Sequence, residues 1–101
     1  MKDIISHINR QFENRVRLGI MSVLMVEEWA EFKQLREVLQ VTDGNLSSHA
    51  SALEKAGYIQ QRKEFVGKRP KTSYRATAEG RKAFRDHLNA LEKLLKENRS
   101  D

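Results

Sequence analysis

A chain of 101 residues, 39% apolar and 33% charged, has room for one domain with a modest core. It contains no cysteine, which excludes disulfides, thiolate metal sites and thiol redox switches. The net charge of +5 lies in one place: residues 62 to 75 hold six bases (Arg62, Lys63, Lys68, Arg69, Lys71, Arg75) and one acid, Glu64, and the rest of the chain balances at thirteen of each. So low an apolar fraction in so small a chain predicts that part of its apolar surface is covered by a second subunit. The N-terminus lacks the basic-then-apolar layout of a signal peptide. The longest apolar run, residues 18–26, is interrupted by Ser22 and is about half of a membrane span. A soluble, cytoplasmic protein without membrane contact is expected.

In chain order, Ile4, Ile5, Ile8 and Phe12 recur at helical spacing and predict a short amphipathic helix over residues 3–12. Asn14 suits the N-cap of a second helix running to about Glu27. That helix is apolar on nearly every side and therefore central to the fold. Gly19 in its interior costs about 1 kcal/mol against alanine, which points to a close helix contact. Residues 29–32 form a break, with room for one edge strand. Phe32, Leu35, Val38 and Leu39 mark a two-turn helix, and Gln40–Thr42 a turn. Thr42 caps a further helix to about Ala56, with Leu46, Ala50 and Leu53 as its buried stripe and Gly57 closing it. Residues 58–66 and 72–76 read as two strands joined by a basic turn, residues 67–71, that includes Pro70. Thr77 caps the last helix, where Phe84, Leu88, Leu91 and Leu95 form a two-heptad seam.

This order matches a winged helix–turn–helix: mainly α, with a small β-hairpin and a C-terminal dimerisation helix. The expected organisation is a single DNA-binding domain over residues 1–101, with residues 1–12 and 77–98 as subunit contacts. The helix after Thr42 docks by its apolar stripe and leaves Asp43, Asn45, Ser47, Ser48, His49, Ser51 and Lys55 free. B-DNA's major groove is wide enough to accept such a face. Asn45, Ser48 and His49 are the candidates for base contacts, Ser47 and Lys55 for phosphate. Arg62, Lys63, Lys68, Arg69 and Lys71 on the hairpin would supply charge to the flanking backbone or minor groove. Ile4, Ile5, Ile8, Phe12, Phe84, Leu88, Leu91 and Leu95 are the candidate dimer interface.

The segments "NRVRLGIMSVLM", "FKQLREVLQVTDGNLSSHASALEKAGYIQ" and "FVGKRPKTSYRATAEGRKAF" resemble the small stand-alone winged-helix transcriptional regulators related to the MarR and ArsR groups, over about residues 12–96. The resemblance implies a dimeric bacterial or archaeal repressor-type DNA binder whose third helix reads the groove. Ser47 and His49 fall where ArsR-type regulators carry a serine and a histidine. The metal-sensing cysteines of that group are absent here, and the chain is too short for the full set of extra helices that builds the ligand pocket of larger MarR proteins. No cofactor or metal is expected. A small-molecule effector between the terminal helices stays open, with no residue pointing to its chemistry.

Blander readings stand beside these. The basic hairpin is otherwise a solvated turn, and His49 otherwise packs on the second helix. Arg15 and Arg17 either meet phosphate or pair within the chain. His7 and His87 lack partners at metal-ligand spacing, and Trp29 suits a core or interface position. A protein-interaction module is the alternative function. An enzyme is not expected: "DGNLSSH" places Asp, Ser and His on one helix without a convergent site, and no phosphate-cradling loop or HExxH-type pattern occurs.

Overall fold

Helix α2 (Arg15–Val26) starts where Asn14 leaves the extended region and its Oδ1 accepts from the backbone N–H groups of Val16 and Arg17, at 2.9 and 3.2 Å. Two of the donors that a helix start leaves orphaned are thereby satisfied. Val16, Ile20, Met21 and Leu24 of α2 are buried, so this helix forms the middle of the core. A Cβ at Gly19 would strike the side chain of Leu39, so the absent side chain is what lets α3 (Phe32–Leu39) pack closely. At the other end of α2 the Arg81 guanidinium donates to the carbonyls of Leu24 and Met25 at 3.2 and 3.3 Å. A cation there complements the negative helix terminus. The computed structural model describes residues 2–99.

Helix α3 starts without a side-chain cap and ends at Gln40, which adopts the left-handed conformation at φ 54°. Thr42 then accepts from the N–H of Asn45 at 3.1 Å and opens α4 (Asp43–Lys55). Leu46, Ala50 and Leu53 of α4 are buried, as their spacing requires. Gly57, at φ 83°, closes α4, and Tyr58 N–H returns to the Leu53 carbonyl at 3.0 Å.

The hairpin is longer and its turn tighter than the composition suggests. Strands β2 (Ile59–Val66) and β3 (Arg69–Ala76) pair antiparallel from Ile59↔Ala76 to Val66↔Arg69, leaving only Gly67 and Lys68 as the loop. Gly67 has φ 67° and Lys68 does not have positive φ, the pattern of a turn with glycine at its first central position. Pro70 therefore lies in β3, opposite Phe65, and not in the turn. Pairs alternate along an antiparallel ladder, and the closing Val66–Arg69 pair is hydrogen-bonded; the Pro70 nitrogen accordingly faces away from β2, where no ladder bond is lost. A two-residue strand, β1 (Ala30–Glu31), adds to the other edge of β3 through Ala30↔Tyr74 and Glu31↔Ser73. The sheet order is β1-β3-β2.

Thr77 joins hairpin to helix: its hydroxyl donates to the Gly57 carbonyl at 2.7 Å and accepts from Gly80 N–H at 2.9 Å. Helix α5 (Ala78–Arg99) follows and extends past the body, giving a molecule 60 Å long and 25 by 21 Å across. The N-terminal segment is not one helix. It is α1 (Lys2–Ser6) and a 3-10 turn over Arg10–Phe12, broken at Asn9. Asn9 is extended, its side chain accepts from Gln11 N–H at 2.9 Å, and its own N–H donates to His87 Nδ1 at 3.0 Å. Short polar side chains that bond the local backbone compete with helix in this way.

The break turns Phe12 inward, onto Tyr58, Phe84 and His87 at ring separations of 5.2 to 5.4 Å. Phe12 and Phe84 are buried in this chain's own core. Their assignment to a subunit interface is corrected: an i, i+3/i+4 pattern does not distinguish a face covered by the chain from one covered by a partner. Ile4, where α1 packs on α5, and Ile8, beyond the end of α1, are partly covered, and Ile5, Leu88, Leu91 and Leu95 are exposed. Among the described residues no helix is long and apolar enough to cross a membrane, and no group of His, Asp or Glu is placed to hold a metal ion.

Candidate nucleic-acid interface

Helix α4 rests on the core by its apolar stripe and turns Asp43, Asn45, Ser47, Ser48, Ser51 and Lys55 to solvent. Two expected members of this face are tied down. Asp43 accepts from the Arg36 guanidinium at 2.8 Å, a bond that joins α3 to the first turn of α4. His49 is half-buried, and its Nδ1 accepts from Arg17 Nε at 3.0 Å; Arg17 Nη1 in turn donates to Gln11 Oε1 at 2.9 Å. Burial, and secondly the Arg17 charge, holds the His49 pKa below the usual histidine value. The ring is thus neutral near pH 7, and an accepting Nδ1 leaves the proton on Nε2. Arg17 on α2 therefore supports His49 on α4, the in-chain alternative for both side chains. Arg15 is exposed beside it at the start of α2.

Beyond the core the hairpin stands free: residues 60 to 70 are all exposed. Its charges fall into two groups. Lys63, Lys68 and Arg69 take part in no ion pair among the described residues. Lys71 and Arg62 are engaged. Lys71 reaches Glu31 at 3.3 Å and Glu64 at 3.9 Å, and its side chain is only 27% exposed. Arg62 lies 3.7 Å from Glu64, and its guanidinium sits over the Trp29 ring at 4.0 Å. Arg75 meets the same ring at 5.0 Å and donates to Gln60 Oε1 at 2.7 Å. Trp29 thus anchors the base of the hairpin by cation–π contact, which is a structural role. The free positive charge is concentrated at the tip, and the sequence surplus alone does not show that.

A helix with an exposed polar face, a left-handed corner before it and a basic two-stranded ribbon after it constitute a helix–turn–helix with a wing. A family model described as "Winged helix DNA-binding domain" matches residues 16–95, most of the chain. The chain belongs to that family. An uncharacterized protein of Methanocaldococcus jannaschii is 36% identical over 85 residues, covering 84% of this chain and 92% of its own length. The solved structure of a transcriptional regulator homologue from Pyrococcus horikoshii OT3 is 34% identical, with a TM-score of 0.82 over 94% of this chain and 92% of that one. Sco3205, a MarR family transcriptional regulator of Streptomyces coelicolor solved in complex with DNA, shares the fold at 20% identity, with a TM-score of 0.67 over 96% of this chain and 70% of that one. The winged helix is thus a DNA-binding domain of the transcriptional-regulator type, a fold and family that bind rather than catalyse.

Proposed function

We propose that the protein is a homodimeric, sequence-specific binder of double-stranded DNA that acts as a repressor-type transcriptional regulator in the cytoplasm. The observation that carries this reading is the pairing of an exposed polar face on α4 with a hairpin tip whose Lys63, Lys68 and Arg69 take part in no ion pair among the described residues. The short side chains of α4 allow its backbone to approach the floor of the major groove. Asn45 suits a bidentate contact to adenine, Ser48 reads less stringently, and the neutral His49 offers its Nε2–H to a base acceptor. Ser47 and Lys55 meet phosphate, and the wing tip neutralises the backbone beside the helix.

Ile5, Leu88, Leu91 and Leu95 leave an apolar surface along α1 and α5 that a second copy would cover. A groove of about 400 Å³ runs beside it, lined by Ile4, His7, Asp86 and Lys93 among others, and is the place for a small-molecule effector if one acts. Two recognition helices related by a two-fold axis would enter major grooves about 10 base pairs apart or a multiple of that. Selection of duplexes from a random pool tests the reading. The expected product is an inverted repeat with that spacing, bound with an affinity that falls steeply as salt rises. Recovery of no common sequence, or binding indifferent to salt, would count against it.

A further inference from the structure

The exposed aromatic at the hairpin tip has no partner that hides it. Phe65 is 75% exposed, although Pro70 stands directly across the ladder from it. Cross-strand packing therefore does not account for the ring. Strand alternation puts Phe65 with Ile59, Gln61 and Lys63 on the face of the sheet that closes over the core and abuts α4. Arg62, Glu64 and Val66 take the opposite face. The ring thus projects on the side of the recognition helix, on a ribbon that overhangs the Gln61–Tyr74 pair by about 17 Å at about 3.3 Å per residue. Lys63 shares its face, Lys68 lies in the turn beyond it and Arg69 stands across from Val66 on the other face, and none of the three takes part in an ion pair among the described residues.

Resting on the DNA-binding reading above, we infer that Phe65 is an apolar wedge that enters the minor groove beside the α4 site and inserts its ring between two stacked base pairs. Phenylalanine and proline are among the residues that wedge open base steps and kink a duplex toward the major groove. Here Phe65 would stack on the opened step with Pro70 behind it, while the three cations hold the phosphates on either side. The cations also decide the occupant. A second copy docking tip to tip would bring two such cation clusters together, whereas a polyanion is attracted by them. Unstacking costs least at flexible pyrimidine–purine steps, so the wedge favours a TA or CA step at a fixed distance outside the half-site. The wing would then contribute specificity without reading a base edge.

The test uses the full chain and the duplex most enriched by the native protein from a random-sequence pool, end-labelled for energy transfer and carrying 2-aminopurine at the expected step. Native protein should shorten the end-to-end distance and raise the 2-aminopurine fluorescence. Phe65→Ala should lose both signals and bind about tenfold or more weakly, with an unchanged salt slope because no charge is lost. Phe65→Leu, which keeps an apolar wedge, should retain part of each signal. Equal affinity and equal bending for Phe65→Ala would overturn the inference, as would a fall in oligomeric state without DNA, which would assign the ring to a subunit contact. Failure of the native protein to bind any duplex would instead remove the DNA-binding reading on which the wedge depends.

Discussion

His87 was visible in the sequence only as a lone histidine, but the structure gives it a definite part. It is buried among Phe12 and Phe84, and its Nδ1 accepts from Asn9 N–H, which pins the N-terminal segment to α5. Burial lowers its pKa, opposed by the charge of Glu13. A histidine held neutral in the fold but free to protonate from about pH 6.5 in the unfolded chain makes the unfolded state bind more protons. Its contribution is therefore complete above that pH and shrinks as pH falls toward the lowered folded value. Denaturant midpoints measured from pH 7.5 to 5 should decline, and His87→Gln should show a shallower decline. At the wing tip, Lys68→Ala with Arg69→Ala should reduce the slope of log affinity against log salt by about 2. Lys71→Ala should change the slope less, since Glu31 and Glu64 already engage that side chain. Titrations at several salt concentrations would separate the two variants; equal slopes would contradict the division of the wing's charges.

At the scale of elements, much of the fold was legible because its signals are local. Asn14 and Thr42 cap the helices that their positions suggested, Gly57 ends α4, and the stripe Leu46, Ala50, Leu53 is buried. What was missed depended on pairing and contacts that residue spacing does not encode. Asn9 caps the 3-10 turn locally, and His87, seventy-eight residues away, takes its N–H. The 67–71 turn shrank to two residues because Pro70 sits at a ladder position that needs no donor. Two glycines, both helical, should respond oppositely to alanine. A Cβ at Gly80 would collide with the Tyr58 carbonyl, a backbone atom that cannot move aside. Gly80→Ala should cost about 1–3 kcal/mol as overpacking does. Nothing lies near a Cβ at Gly44, so Gly44→Ala should stabilise α4 by about 0.5–1 kcal/mol. Thermal unfolding of the two variants gives the sign in each case.

For the whole molecule, the candidate site was legible as a set of residues but not as a set of free residues. The sequence placed Asp43, His49, Arg62 and Lys71 in the interface without showing that Arg36, Arg17, Trp29 and Glu31 hold them. It likewise gave a single apolar list for the terminal helices, where Phe12 and Phe84 serve the core and Leu88, Leu91 and Leu95 remain uncovered. If α5 is the subunit contact, Leu91→Lys with Leu95→Lys should shift sedimentation from dimer to monomer while the circular dichroism of the fold persists. The central claim is that the exposed face of α4 and the tip of the wing grip one duplex together. The most direct measurement is the amide chemical-shift map of labelled protein titrated with a selected duplex. The account predicts the largest changes at Asn45, Ser48, Gly67 and Lys68, with the outer turns of α5 unaffected; changes confined to α1 and α5, with α4 and the hairpin silent, would contradict it.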